Sequence, residues 1–224
     1  MNDSGLQRLN MVESQVRTSD VTDRRIIRAM LDIPREAFVP PSMASIAYSD
    51  AALAVSGQRT GSAPVRALLE PRTLAKLIQL ADIDEDATVL DVGCATGYST
   101  AVLARIARRV VAVEADKTLA GAATAALQAL GVTNATVVTG ELRAGAAAQA
   151  PFDVILLNGA VPSVPRSLCA QLREGGRLVA VVSEGRVSRA HLTLRTGSTF
   201  DTRPAFEAAA DPLPGFEVPA GFVF

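Results

Sequence analysis

The chain has 224 residues, of which 49% are hydrophobic, and a formal net charge of −1. That is enough apolar material for a full core, and the near-balanced charge argues against nucleic acid or an anionic membrane as a partner. The two cysteines, Cys94 and Cys169, are too few and too far apart for a disulfide framework or a metal site, so no metal is expected.

Residues 1–8 lack the apolar stretch of a secretory leader, and no apolar run reaches the length of a membrane span. The expectation is a soluble, cytoplasmic protein. Leu6, Leu9, Val12 and Val16 recur at helical spacing and predict a helix over 4–17. Thr22 and Asp23 offer capping oxygens for a second helix to about Leu31, with Ile26, Ile27, Met30 and Leu31 on one face. Pro34 ends it and Pro40-Pro41 punctuates again. These helices are too small to bury a core alone, and are expected to pack on the main domain and cover part of a ligand cleft. Residues 42–70 read as irregular, with turn-rich segments at Ser56-Gly57-Gln58 and Thr60-Gly61-Ser62-Ala63-Pro64. A long loop directly ahead of a cofactor domain suggests a substrate loop or lid. A helix follows from Pro71 to about Leu80, with proline at its first turn and Leu74, Leu77, Ile78 and Ala81 on one face.

From there strand and helix alternate. Strands are expected at 89–92, 110–113, 135–139, 152–157 and 178–182. Helices are expected at 98–108, 117–130 (stopped by Gly131) and about 165–172. The run from Phe152 to Leu157 is apolar throughout, as a strand buried on both faces requires. The alternation predicts an α/β fold, Rossmann-like, with a mostly parallel, doubly wound sheet covered by helices on both faces. Right-handed crossovers then bring every strand's C-terminal end to one edge. Leu192–Thr196 and Thr199–Arg203 flank Gly197-Ser198 and predict an antiparallel C-terminal hairpin. One domain over 1–224 is expected: N-terminal helices and substrate loop over 1–70, cofactor core over 71–185, hairpin and tail over 186–224.

The chemistry concentrates in residues 89–100, a strand, a glycine turn and a helix in succession. A dinucleotide fingerprint spaces its glycines G-x-G-x-x-G. Here the spacing is Gly93-x-x-x-Gly97, with Asp91 two residues ahead, an acid that repels a pyrophosphate and suits a cationic amino-acid ligand. Glu114 closes the next apolar run, where an acid accepts hydrogen bonds from ribose hydroxyls. The pattern looks like the S-adenosylmethionine site of Rossmann-like methyltransferases; NAD binding is the rival and an ordinary glycine turn the plain alternative. Cys94 and Ala95 fill the turn, and Ala115 follows Glu114. Gly140 and Glu141, after the third strand, are candidates for the adenine, and Asn158, after the fourth, for ligand or substrate. Arg105, Arg108 and Arg109 suit a helix end. His191 lies in the tail and reads as a surface or packing residue. No Ser/His/Asp or Cys/His arrangement emerges.

Beyond the cofactor loop the chain resembles the protein-L-isoaspartate O-methyltransferases, over about residues 11–183. The likeness rests on Met11-Val-Glu-Ser-Gln15, Asp23-Arg-Arg-Ile-Ile27, Met30, Ile33-Pro-Arg-Glu-Ala-Phe-Val-Pro40, Ala47-Tyr-Ser-Asp50, Leu53, Pro151-Phe-Asp-Val-Ile155 and Gly175-Gly-Arg-Leu-Val179. It implies S-adenosylmethionine as cofactor, held by Asp91, Gly93, Gly97, Glu114 and Glu141, the last usually Asp in the family. Cys94, Ala95, Ala115, Gly140 and Asn158 complete the expected cofactor site. It also implies isoaspartyl proteins or peptides as acceptors, in protein repair. One departure stands out: the family usually carries Thr-Ile-Ser-x-Pro ahead of the helix at Pro71, and Leu69 occupies the serine's place. Thr60 and Ser62 are candidate substitutes near the acceptor, together with Leu69 and Asn158, and Arg59, Arg66 or Arg72 can bind a carboxylate bidentately. The departure leaves open another acceptor on the same fold, or a non-catalytic S-adenosylmethionine-binding module.

Overall fold

The apolar spacing near the N-terminus does fold as helix, though not as one regular helix. The computed structural model describes residues 3–56, 65–185 and 187–217. α1 (Asp3–Met11) passes into a π turn over Val12–Val16 and a 3-10 turn over Arg17–Ser19. The wider winding rotates the apolar stripe: Met11, Val12 and Val16 are buried, whereas Leu6 and Leu9, expected on the same face, are exposed. Asp23 caps α2 (Arg24–Asp32) as its residue type predicts, accepting the Arg25 amide at 2.8 Å.

The stretch read as irregular holds secondary structure. After 3-10 turns at Arg35–Phe38 and Pro41–Ile46, β1 (Leu53–Ser56) and β2 (Arg66–Leu68) form a two-stranded antiparallel ladder with Leu53 opposite Leu68. Strands of four and three residues carry too little alternation to read from sequence. Gly57, Gln58, Arg59, Thr60 and Ser62, named above as turn residues or acceptor-site candidates, lie outside the described residues. α3 (Pro71–Ala81) buries Leu74, Leu77, Ile78 and Ala81 as its spacing requires.

The alternation then follows: β3 (Thr88–Val92), α4 (Tyr98–Ala104), β4 (Arg109–Glu114), α5 (Lys117–Ala129), β5 (Ala135–Thr139), β6 (Phe152–Val161), α6 (Arg166–Cys169), β7 (Leu172–Glu184), β8 (Val187–Thr196) and β9 (Thr199–Glu207). The differences from expectation have local causes. The first core helix stops at Ala104, where the chain must turn into β4, and α6 is a single turn. β6 runs on past Leu157 to Val161 because an irregularity lets Leu156 pair with Val179 and Ala160 with Val181, which puts Asn158 inside the strand rather than in a loop after it. β7 begins early because Leu172 pairs with Phe152, and the hairpin ladder spans its full partner strands.

The main sheet has the order β5-β4-β3-β6-β7-β8-β9, parallel from β5 to β7 and antiparallel at β8 and β9. The chain leaves β3 for β4 and β5 on one side and returns to β6 on the other, so the topological switch point falls between β3 and β6. Alternation sorts the strands' side chains into two cores. Val89, Val154, Leu156 and Val179 pack with the helical side, including Met30, Leu74, Ile78, Ala101 and Leu127. Leu90, Val92, Ile155 and Leu178 face the other side, covered by Leu142, Leu168, Leu213 and Phe216. Among the described residues, that second face is covered by α6, short 3-10 turns and the C-terminal tail. Each large side chain so buried contributes about 1.5–3 kcal/mol relative to exposure.

Candidate active site

β3 ends into a turn whose backbone reverses through three left-handed residues: Gly93 at φ 77°, Ala95 at φ 51° and Gly97 at φ 95°. The turn is tied back to the neighbouring strand, with the Gly93 and Cys94 amides donating to the Val113 carbonyl at 2.8 and 3.3 Å. Gly97 opens α4, and a Cβ there would lie 3.0 Å from that of Ala123, so glycine lets α4 and α5 approach closely.

Asp91, at the end of β3, is fully buried and accepts three hydrogen bonds. Ser99 Oγ and Thr100 Oγ1, from the first turn of α4, donate to Oδ2 at 2.7 Å each, and Asn158 Nδ2 donates to Oδ1 at 2.7 Å. Asn158 also donates to Ser99 Oγ. Burial raises the Asp91 pKa above the ordinary carboxylate value, against the lowering effect of these bonds. Asp91 thus fastens β3, α4 and the irregular part of β6 at one point, a structural duty that its sequence position does not reveal.

Glu114, at the end of β4, is also fully buried, and both of its oxygens are engaged. Oε1 accepts from the Ala115 amide at 2.9 Å and the Asp116 amide at 3.3 Å; Oε2 accepts from the Ala95 amide at 2.7 Å and from Arg66 Nη2 at 2.9 Å. The same Nη2 donates to the Gly93 carbonyl at 2.8 Å. Arg66 is therefore not free to meet an acceptor carboxylate; its guanidinium lies buried across the acid expected to face a ribose. Cys94 is buried beside both acids, and burial followed by their charge pushes its thiol well up, which makes it a loop filler rather than a nucleophile.

The remaining expected residues are placed as follows. Gly140 follows β5 and donates its amide to the Glu114 carbonyl at 3.0 Å, while Ala115 and Glu141 are exposed at the same edge. Leu69 is buried, and its carbonyl accepts from Arg35 Nη2 at 2.7 Å. Its side chain lines, with Leu68, Tyr98, Ser99 and Asn158, a cavity of about 10 Å³, room for one water molecule at most. Arg72 is half exposed, 3.2 Å from Glu70. His191 is buried in β8 opposite Ala180, 3.2 Å from Glu184 Oε1, and forms no part of this edge.

Sequence reasoning missed three contributors. Arg35 is fully buried, donates to the Ala47 and Leu69 carbonyls and stacks over the Tyr98 ring at 4.7 Å, so the N-terminal helices are clasped to the glycine loop's own helix. Phe38 packs edge-on against Tyr98, with ring centroids 5.6 Å apart. Leu213, from the tail, covers the turn: a Cβ on Gly93 would meet its Cδ2 at 2.7 Å and one on Gly159 its Cγ at 2.7 Å. The sequence pattern of the tail beyond the hairpin singled out no such residue.

The donor set fits an S-adenosylmethionine site in kind and in place. Two buried carboxylates, Asp91 on β3 and Glu114 on β4, stand near the C-terminal ends of adjacent parallel strands, and the glycine turn beside them forms a cradle that Leu213 and the Arg66 guanidinium occupy. Among the described residues no group of three or more acids, cysteines or histidines is placed to hold a metal, and no helix is long and apolar enough to cross a membrane.

Comparison with known proteins bears on the same point. Residues 7–202 match the family described as protein-L-isoaspartate(D-aspartate) O-methyltransferase. The protein-L-isoaspartate O-methyltransferase of Roseiflexus sp. (strain RS-1) is 42% identical over 196 residues, covering 87% of this chain and 86% of its own. That of Koribacter versatilis is 40% identical over 177 residues, covering 79% and 77%. A solved protein-L-isoaspartate O-methyltransferase superposes with a TM-score of 0.81 at 26% identity, over 93% of this chain and 66% of its own, so this chain spans about two-thirds of that one. A structure from Plasmodium falciparum, solved with S-adenosyl-L-homocysteine, superposes at 0.73 with 17% identity, over 92% and 97%, and shares the fold.

Proposed function

Because this chain belongs to the protein-L-isoaspartate(D-aspartate) O-methyltransferase family, we propose that it is a cytoplasmic, S-adenosylmethionine-dependent enzyme that methylates the carboxylate of isoaspartyl residues in proteins or peptides. We treat 1–224 as one methyltransferase domain, with isoaspartyl polypeptides rather than nucleic acid as its substrates. The observation that carries the reading is the pair of buried carboxylates, Asp91 and Glu114, at the ends of β3 and β4 on either side of the glycine turn.

In this reading Asp91, Gly93, Cys94, Ala95, Gly97, Glu114, Ala115, Gly140, Glu141 and Asn158 hold the cofactor, which when bound supplies an electrophilic methyl group on a sulfonium. The chain's own work is placement. A carboxylate acceptor is ionised at neutral pH, so no general base is needed. Leu68, Leu69 and Tyr98 form an apolar wall that excludes water and strengthens every electrostatic contact inside. Holding methyl and oxygen in line supplies the rate.

The test is transfer of labelled methyl to an isoaspartyl peptide with its aspartyl twin as control. Base-labile label on the isoaspartyl peptide alone is expected; label on neither peptide, with cofactor bound, moves the assignment to another acceptor. Leu69 favours that second reading, because its buried side chain offers a carboxylate no donor.

A further inference from the structure

Open parallel sheets take their ligands in the crevice outside the strand ends at the switch point, and here that crevice already holds parts of the same chain. Arg66 reaches in from β2 and spans Glu114 Oε2 and the Gly93 carbonyl, with its Nε buried and without a hydrogen-bond partner. Leu213 reaches in from the tail and lies over both Gly93, which follows β3, and Gly159, at the irregular part of β6. A backbone clasp fixes it: the Ala160 amide donates to the Asp211 carbonyl at 2.9 Å, and the Leu213 amide donates to the Ala160 carbonyl at 2.8 Å. Phe216 anchors the far end of the segment against the same core.

From this we infer that Arg66 and the tail segment 211–216 are an intrasteric plug: S-adenosylmethionine enters its cleft by displacing them. The inference rests on the cofactor reading above and says what regulates that site. Breaking a buried ion pair leaves one charge uncompensated, so Arg66 leaves Glu114 only as ribose hydroxyls and the positive charge of the cofactor take its place. Leu213 surrenders apolar contact that an adenosyl group can restore to the cradle. A site closed in this way shows an affinity reduced by the fraction of molecules that are open. With about one in ten open, the apparent dissociation constant rises tenfold.

The experiment is calorimetric titration of S-adenosylmethionine into the full chain and into full-length Leu213→Ala, with amide hydrogen exchange at Ala160 and Leu213 followed with and without the ligand. The plug requires at least tenfold tighter binding by Leu213→Ala, and, in the unaltered protein, faster exchange of both amides when the ligand binds. Equal affinities together with unchanged protection overturn the plug and leave the cofactor site standing. Failure of both proteins to bind overturns both, because an opened cleft that still rejects the ligand is not its site.

Discussion

At the scale of single residues the site rests on two acids whose environments differ. Asp91 accepts from three neutral donors, Ser99, Thr100 and Asn158, and burial raises its pKa; Glu114 accepts from an arginine and three amides. A raised folded pKa means that the native state holds the Asp91 proton more tightly than the unfolded chain. Its contribution to stability is present at low pH and is lost as pH rises from the ordinary value of 3.8 through the raised one. Asp91→Asn keeps the shape without the charge. Relative to the unaltered protein, its unfolding free energy is expected to improve between pH 4 and pH 7 while cofactor binding falls at least tenfold. Denaturant unfolding at the two pH values measures the first effect; an identical difference at both would show that Asp91 is not the titrating group. Ala95 carries the opposite kind of strain. An alanine in the left-handed region costs about 1–2 kcal/mol, and glycine's extra unfolded freedom about 0.5–1. Ala95→Gly is therefore expected to be neutral or to stabilise by up to about 1.5 kcal/mol, with the amide at position 95 still on Glu114. A loss of stability would mean that the alanine methyl packs usefully against the turn.

Among the elements, what was legible follows from how local the signal is. Asp91 and Glu114 stand near strand ends and the two glycines in the turn from β3 to α4, where the local pattern names them. Their partners come from elsewhere: Arg66 lies 48 residues from Glu114 and Asn158 67 from Asp91. No local pattern says that an arginine opening a three-residue strand will be buried against an acid. The extension of β6 was hidden because its irregular register breaks the apolar run at Asn158-Gly159, which reads as a loop. The motif around Arg35 was legible only as a likeness, and the structure gives it a cause: a buried guanidinium that joins the N-terminal 3-10 turn to the loop at Leu69 and to α4. Arg35→Ala strips two buried carbonyls of their donor, each unsatisfied group costing about 1–3 kcal/mol. A loss of about 2–6 kcal/mol is expected in denaturant unfolding, with weaker acceptor binding because Leu69 loses its anchor. A change below 1 kcal/mol would mean that water replaces the clasp.

For the whole molecule, the two faces of the sheet are covered unequally, and this ties stability to ligand binding. The helical face closes on α2, α3 and α4, whereas the other face depends on α6, short turns and the tail's Leu213 and Phe216. Leu213→Ala should therefore lower the melting temperature of the free protein, since a buried leucine cut to alanine costs about 2.7–5 kcal/mol. The same change should enlarge the response to cofactor. At a free ligand concentration 100 times the dissociation constant, binding stabilises by about 2.7 kcal/mol, or roughly 5–10 °C for a chain of this size at about 2–4 °C per kcal/mol. If the unaltered cleft binds ten times more weakly, it gains about 1.4 kcal/mol less, some 3–5 °C of upward shift, at the same concentration. Thermal unfolding with and without S-adenosylmethionine should then show the variant starting lower and rising further. A tail that merely covers the sheet would lower the starting point and leave the rise unchanged, so the difference between the two shifts separates a cover from a plug.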